Sequence, residues 1–238
     1  MLSIKTYRKR QPLLVLLGIA LLFAAFVRGI FFVQSAYMGD YEESIVSMSM
    51  DEPGTVDYAA FNEEASLYLI DEGIETPLYL QTNELWGDEA YGYDGGQTIA
   101  ENGCAIASIA MVSSAITGHE VLPTEVRDWA GNGYYAAGQG TDWRIFPAFA
   151  EAYGYQYQDL GMDLDLVSSY LAADQPVIVS VTAGDFTETG HIMVLAGIRD
   201  DHVIVLDPND SPEKHHYDSY YTLDEIADQS IRFWAFSV

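Results

Sequence analysis

Residues 103–118 read GCAIASIAMVSSAITG, an apolar segment with a glycine at each end. The apolar residues recur at helical spacing, which predicts a helix over Cys104–Thr117 that begins after Gly103 and ends at Gly118. Cys104 is the only cysteine of the 238-residue chain. A single cysteine excludes an intrachain disulfide and any cysteine-rich zinc or iron–sulfur site.

The sequence around this segment predicts helices first and strands later. Helices are predicted over residues 124–129, 143–153 and 164–173, and strands over residues 176–181, 191–198, 203–207 and 230–238. Thr222 and Glu225 have the spacing of a capping box and predict one more short helix. We therefore expect an α+β fold in which helices pack on a mostly antiparallel sheet.

Charge separates the beginning of the chain from the rest. Before residue 35 there are five basic residues and no acidic one, whereas residues 35–238 hold 36 acidic and five basic side chains, a net charge of −31. Phosphate backbones would be repelled by such a surface. Nucleic-acid binding through a basic patch is therefore excluded.

The first 35 residues combine a basic cluster with an apolar stretch. Residues 5–10 carry four basic side chains, and Pro12–Val33 is interrupted among ionisable groups only by Arg28. This stretch is long enough to span a bilayer, and the charge distribution places the N-terminus in the cytoplasm. Val33-Gln34-Ser35 also resembles a signal-peptide cleavage site. Residues 1–35 are predicted to be a transmembrane signal anchor or a cleaved signal peptide, with the remainder of the chain extracellular, at the cell membrane or secreted.

Residues 36–76 are acidic and contain only weak helical patterning, near Tyr58–Ile70. We interpret them as an acidic linker or stalk. Regular periodicity begins at Pro77, so residues 77–238 are predicted to form the folded domain.

Cys104 stands at the predicted start of its helix, where unsatisfied N–H groups favour a thiolate over a thiol. Gly190-His191 opens one strand of a predicted hairpin and Asp207 ends the other, so a carboxylate at Asp207 could hold the His191 imidazole in one tautomer. Side chains alternate between the two faces along a strand. His191 and Asp207 therefore share a face only if the numbers of two residues that pair directly across the hairpin sum to an even value. A register that pairs Ile198 with Val203 would separate them.

Each of these residues also has an ordinary structural interpretation. Cys104 could be a small buried apolar residue, His191 a structural histidine, and Asp207-Pro208-Asn209 a turn. Gln81 could be a loop glutamine, although its amide can also donate to the oxyanion of a tetrahedral intermediate. The order Gln, Cys, His, Asp along the chain is that of papain-like thiol enzymes. No metal site is expected. The remaining histidines are interpreted as surface residues, and they are His119, His202, His215 and His216.

From about Pro77 to Val238 the chain resembles the bacteriocin-processing (double-glycine leader) peptidases, in particular their exported relatives without a transporter. The resemblance is carried by Tyr79-Leu80-Gln81, Asn102-Gly103-Cys104-Ala105, Ser108-Ile109-Ala110-Met111, Pro123 before Trp129, Gly140-Thr141-Asp142-Trp143, Tyr153-Gly154, Gln175-Pro176-Val177-Ile178, Gly190-His191 and Asp207-Pro208-Asn209. It implies a papain-like cysteine peptidase fold. It also implies Cys104 as the nucleophile, His191 as general base and acid, Asp207 as the orienting acid and Gln81 as an oxyanion-hole donor.

The resemblance has limits that leave three functions open. The chain has no G-x-x-x-x-G-K-[ST] motif, so neither ATP nor an exporter role is implied, and no cofactor is expected. The leading interpretation is an exported or membrane-anchored cysteine peptidase whose partners are a peptide or protein substrate and, through the N-terminal helix, the membrane. The alternatives are an amidase or acyltransferase acting on cell-wall peptides, and a non-catalytic binding module with the same fold.

Overall fold

The structure, a computed structural model, describes residues 58–93 and 96–238. The helices are α1 (Tyr58–Asp71), α2 (Ile99–Asn102), α3 (Cys104–Thr117), α4 (Pro123–Ala130), α5 (Ile145–Tyr153), α6 (Leu164–Leu171) and α7 (Leu223–Ala227). The strands are β1 (Tyr135–Ala136), β2 (Gly140–Thr141), β3 (Gln156–Gly161), β4 (Val177–Val181), β5 (His191–Arg199), β6 (His202–Leu206) and β7 (Ser230–Ser237).

The main sheet has five strands in the order β3-β7-β4-β5-β6, and every neighbouring pair is antiparallel. The predicted α+β fold with an antiparallel sheet is confirmed. The predicted signal or anchor helix lies outside the described residues. Within residues 58–93 and 96–238, no helix is both long and apolar enough to cross a bilayer.

Both faces of the central strands are covered. In β4, Ile178 faces a core that includes α3 and α5, whereas Val177 and Val179 face a second core with α6 and α7. Because successive side chains of a strand point to opposite faces, a strand buried on both sides has a continuous apolar sequence. This explains why residues 177–181 read VIVSV and are all buried.

Helix α3 is the most deeply buried helix of the first core, with every residue from Ala105 to Ser114 buried. It ends at Gly118, whose φ of 66° is left-handed and therefore favours glycine. At its other end, a Cβ on Gly103 would stand 2.5 Å from the carbonyl oxygen and the Cγ2 of Ile99. Gly103 therefore allows α2 and α3 to meet closely at the point where Cys104 begins the longer helix.

Helix α1 lies in the segment predicted as a linker, and it packs onto the folded unit. Its buried residues Phe61, Ala65 and Leu69 follow one another at intervals of four and join the first core. Arg199 of β5 donates to the carbonyl oxygens of Glu72 and Gly73 directly after this helix. The helix was only weakly indicated by the sequence because acidic residues surround its short apolar stripe. The rest of the predicted linker, residues 36–57, lies outside the described residues.

Candidate active site

Cys104 is the first residue of α3 and is only partly buried. The first N–H groups of a helix have no acceptor within the helix, so the cysteine stands where the backbone favours negative charge. The side chain of Ser108, one turn further along, lies 3.5 Å from the carbonyl oxygen of Ile192. The contact ties α3 to β5 directly beside His191.

A β-bulge in β5 brings His191 and Asp207 to the same face of the hairpin. Near the turn, Ile198 pairs with Val203, the register expected to separate the two side chains. Between Leu195 and Gly197 the register shifts by one residue, and Leu195 pairs with Val205. The bulge inserts one unpaired residue and so reverses the face of every position before it.

The three side chains predicted to act together form a continuous chain of contacts. His191 Nε2 lies 2.5 Å from Asp207 Oδ1, and the Cys104 side chain is close enough to His191 to raise its pKa. Because Nε2 is engaged by the carboxylate, Nδ1 is the ring nitrogen left for the thiol. Asp207 is fully buried and His191 is 9% exposed, whereas Cys104 is partly exposed.

Burial and hydrogen bonding act in opposite directions on the two buried groups. Burial disfavours the imidazolium, but the hydrogen bonds with Asp207 and Cys104 outweigh it and raise the pKa of His191 from 6.5 to about 10. For Asp207, burial alone would raise the pKa. The hydrogen bonds from His191 and His216 lower it by more than burial raises it, so the pKa of Asp207 lies well below its ordinary value. The arrangement therefore favours an anionic Asp207 beside a protonated His191.

Gln81 lies between the segment that precedes Cys104 and the turn that follows Asp207. Its backbone N–H donates to the carbonyl oxygen of Pro208 at 2.7 Å, and its Nε2 donates to the carbonyl oxygen of Ala100 at 2.6 Å. An amide nitrogen carries two hydrogens, so one remains for another acceptor. Its Oε1 is buried and has no hydrogen-bond partner.

The sequence model of the Peptidase_C39 like family matches residues 74–235 of this chain. The chain belongs to this family. The resemblance to bacteriocin-processing double-glycine peptidases is thereby confirmed. A search of curated proteins found no significant match.

Solved structures similar to this Peptidase_C39-like protein include three peptidase domains. The peptidase domain of Streptococcus ComA, a bifunctional ABC transporter of a quorum-sensing pathway, is 19% identical with a TM-score of 0.44, covering 57% of this chain and 91% of its own. A putative C39-like peptidase from Bacillus anthracis is 14% identical with a TM-score of 0.47, covering 68% of this chain and 94% of its own. A double-glycine-motif protease from an AMS/PCAT transporter, solved in complex with the leader peptide, is 20% identical with a TM-score of 0.39. It covers 56% of this chain and 82% of its own.

The interpretation of His216 as a surface residue was wrong. In this Peptidase_C39-like protein His216 is 4% exposed, and its Nδ1 lies 2.8 Å from Asp207 Oδ2. His215 has a φ of +51°, and the segment that contains His216 is a turn rather than a strand. Only the length of the irregular segment that follows Asp207 hinted at a functional role.

Across residues 58–93 and 96–238, no group of three or more His, Cys, Asp or Glu side chains could hold a metal ion. His191 and His216 each direct one ring nitrogen at the same carboxylate. These contacts form a hydrogen-bonded network centred on Asp207.

Proposed function

We propose that this chain is an exported or membrane-anchored cysteine peptidase that hydrolyses peptide bonds through an acyl-thioester on Cys104. The observation that carries the proposal is the contact chain from Cys104 through His191 to Asp207 in a member of a peptidase family. A thiol, an imidazole and a buried carboxylate in this order supply a nucleophile, a proton carrier and a group that orients the ring.

The first half of the reaction transfers the acyl group to the enzyme. The Cys104 thiolate attacks the scissile carbonyl carbon, and the π electrons of the C=O bond move to the carbonyl oxygen. The tetrahedral intermediate collapses as His191 gives its Nδ1 proton to the leaving amine, which breaks the C–N bond and leaves the acyl-thioester.

The second half releases the acid. Neutral His191 takes a proton from water, and the hydroxide attacks the thioester carbonyl. The C–S bond then breaks, which regenerates the thiolate–imidazolium pair. Asp207 stays ionised throughout and keeps the Nε2 proton of His191 in place.

Two donors are proposed to stabilise the oxyanion. The backbone N–H of Cys104 belongs to the first turn of α3, and Gln81 has one amide hydrogen that is not engaged by Ala100. Both donors are neutral, so they stabilise the developing charge without changing the protonation of the Cys104–His191 pair.

The proposed location rests on the first 35 residues. The basic cluster before Pro12–Val33 favours an N-terminus in the cytoplasm and a peptidase domain outside the cell. We test it by expressing the full chain in a bacterial host and treating intact cells with a protease. Degradation of the domain in intact cells, or its recovery from the medium, supports export. Protection that ends only on lysis contradicts it.

The activity is tested with the full chain in mild detergent, incubated with a peptide library and separately with cell-wall muropeptides. Cleavage of library peptides by wild type and not by Cys104→Ala supports the peptidase. Conversion of muropeptides alone, again dependent on Cys104, replaces it by the amidase or acyltransferase. Binding without turnover in both variants favours the non-catalytic module.

A further inference from the structure

The buried carboxylate of Asp207 is held by two histidines. Its Oδ1 faces His191 Nε2 at 2.5 Å and accepts the backbone N–H of Asn209 at 2.7 Å. Its Oδ2 faces His216 Nδ1 at 2.8 Å, and the ammonium of Lys214 lies 3.7 Å away. His216 therefore provides the only close hydrogen bond to Oδ2 among the described residues.

His216 is itself fixed in position by a second buried carboxylate. Asp210, 2% exposed, accepts the backbone N–H of His216 through Oδ1 at 3.1 Å and that of Tyr217 through Oδ2 at 3.2 Å. The ring of Phe186 packs edge-on against the imidazole at a centroid distance of 5.2 Å. Because these contacts hold both the backbone of His216 and one edge of its ring, the imidazole has little freedom to turn away from Asp207.

We propose that His216 is a positioning residue of the active site, whose Nδ1–H holds Oδ2 of Asp207 so that Oδ1 stays on His191. The inference rests on the proposed function, because it assigns His216 a role in maintaining the thiolate–imidazolium pair. A carboxylate bound through one oxygen only can rotate about its Cβ–Cγ bond. One that is bound through both oxygens keeps its plane.

Removing the His216 donor has a defined electrostatic consequence. Oδ2 would keep only the distant Lys214 ammonium, and a buried oxygen without a close donor is costly. Asp207 would recover part of that cost by rotating or by taking up a proton. Either change weakens its hydrogen bond to His191, so the imidazolium loses its proton at a lower pH.

Other ionisable groups around His216 bear on any pH measurement. Lys214, Asp210 and Tyr221 lie on its own segment, His191 faces it across Asp207 from β5, and Cys104 lies beyond His191 at the start of α3. From the loop before β5, Asp185 adds its charge near Tyr221. The controls below are chosen to separate the hydrogen bond of His216 from these charges.

The test compares His216→Leu with His216→Asn, two side chains of similar size of which only asparagine keeps a donor near the position of Nδ1. The readout is the rate of Cys104 alkylation by iodoacetamide from pH 5 to 11 in the full chain in detergent, which requires no substrate. We expect His216→Leu to move the alkaline limb of the profile, where the imidazolium loses its proton and leaves a thiolate that still reacts, about one pH unit down, as expected for one lost charge-assisted hydrogen bond. We expect His216→Asn to stay within about threefold of wild type.

Two controls accompany these variants. His202→Leu makes the same change at a histidine whose ring contacts Tyr220 rather than the site, and we expect the wild-type profile. Lys214→Met removes the nearby charge and leaves the His216 hydrogen bond, and we expect a smaller shift than in His216→Leu. In the unaltered protein, 15N shifts of the His216 ring should identify Nδ1 as a protonated nitrogen, a readout that does not depend on a variant folding.

Three outcomes overturn the inference. They are an unchanged alkaline limb in folded His216→Leu, a His216→Asn as impaired as His216→Leu, and an unprotonated His216 Nδ1 in the unaltered protein. Failure of the proposed function gives a different result, because wild-type Cys104 would then react no faster than a free thiol, and the positioning role would fall with it.

Discussion

His191 and Asp207 share one face of the β5–β6 hairpin because a single extra residue lies between Leu195 and Gly197. With the register set by Leu195 and Val205, Asp207 falls opposite Met193, and His191 is its diagonal neighbour two residues along. Without the bulge, the pairing of Ile198 with Val203 would continue and place His191 on the other face. The bulge thus connects strand register directly to the proposed chemistry.

Deleting Ala196 should therefore uncouple the site. The deletion removes the unpaired residue and turns His191 away from Asp207, so we expect Cys104 alkylation at pH 7 to fall to the rate of His191→Ala. Circular dichroism reports whether the sheet is retained, and Ala196→Gly, which keeps the chain length, is the matched control. A folded deletion variant that reacts at the wild-type rate would show that the bulge does not set the geometry.

Gln81→Met should reduce kcat by about 10²–10³ with little change in KM, because an oxyanion donor acts in the transition state rather than in substrate binding. The measurement is steady-state hydrolysis of a peptide selected from the library. Gln158→Met is the control, because Gln158 is exposed and its side chain contacts Tyr170. An equal loss in both variants, or a Gln81→Met with full kcat, contradicts the assignment.

The stability of the fold should depend on alkaline pH through His191. Its pKa is raised from 6.5 to about 10, so its stabilising contribution is complete below pH 6.5 and is lost as the pH rises through about 10. We expect the difference in unfolding temperature between wild type and His191→Phe to be larger at pH 6 than at pH 10.5. Taking the difference removes the tyrosine titrations common to both proteins. A difference that is constant across this range is the contrary result.

Gly103→Ala should disturb the start of α3. Its Cβ would stand 2.5 Å from the backbone oxygen of Ile99, and relieving such an overlap costs about 1–3 kcal/mol. Urea unfolding measures this loss, and Cys104 alkylation should slow with it because the nucleophile moves. Gly96→Ala, where a Cβ meets nothing within 4 Å, should change stability by less than about 0.5 kcal/mol. Equal stability of the two variants would refute the steric explanation.

Strong periodicity allowed most of the fold to be predicted. Helix α3 and strands β4, β5 and β6 have long apolar patterns, and their positions agree with the expectation to within a few residues. Strand β3 was missed because its sequence, QYQDLG, is short and mostly polar, and it pairs only with β7 at the edge of the sheet. Edge strands with one neighbour need little apolar surface, so their sequences carry a weak signal.

The candidate site was predicted less completely than the fold. Cys104 and His191 could be found because each opens a regular element, and Asp207 because it directly follows one. The register that joins His191 to Asp207 could not be predicted, since a bulge at Ala196 leaves no mark in an apolar sequence. His216 was missed for a related reason: it lies in an irregular segment, where no periodicity predicts which side chains turn inward.

The most direct test of the account is the alkylation rate of Cys104 by iodoacetamide between pH 6 and 7, in wild type and in His191→Ala. A thiolate held by the His191 imidazolium should react much faster than a free thiol in this range, where a free thiol is mostly protonated. The account predicts that this fast reaction occurs in wild type and disappears in His191→Ala. Equal rates in the two proteins, at the level of a free thiol, would contradict it.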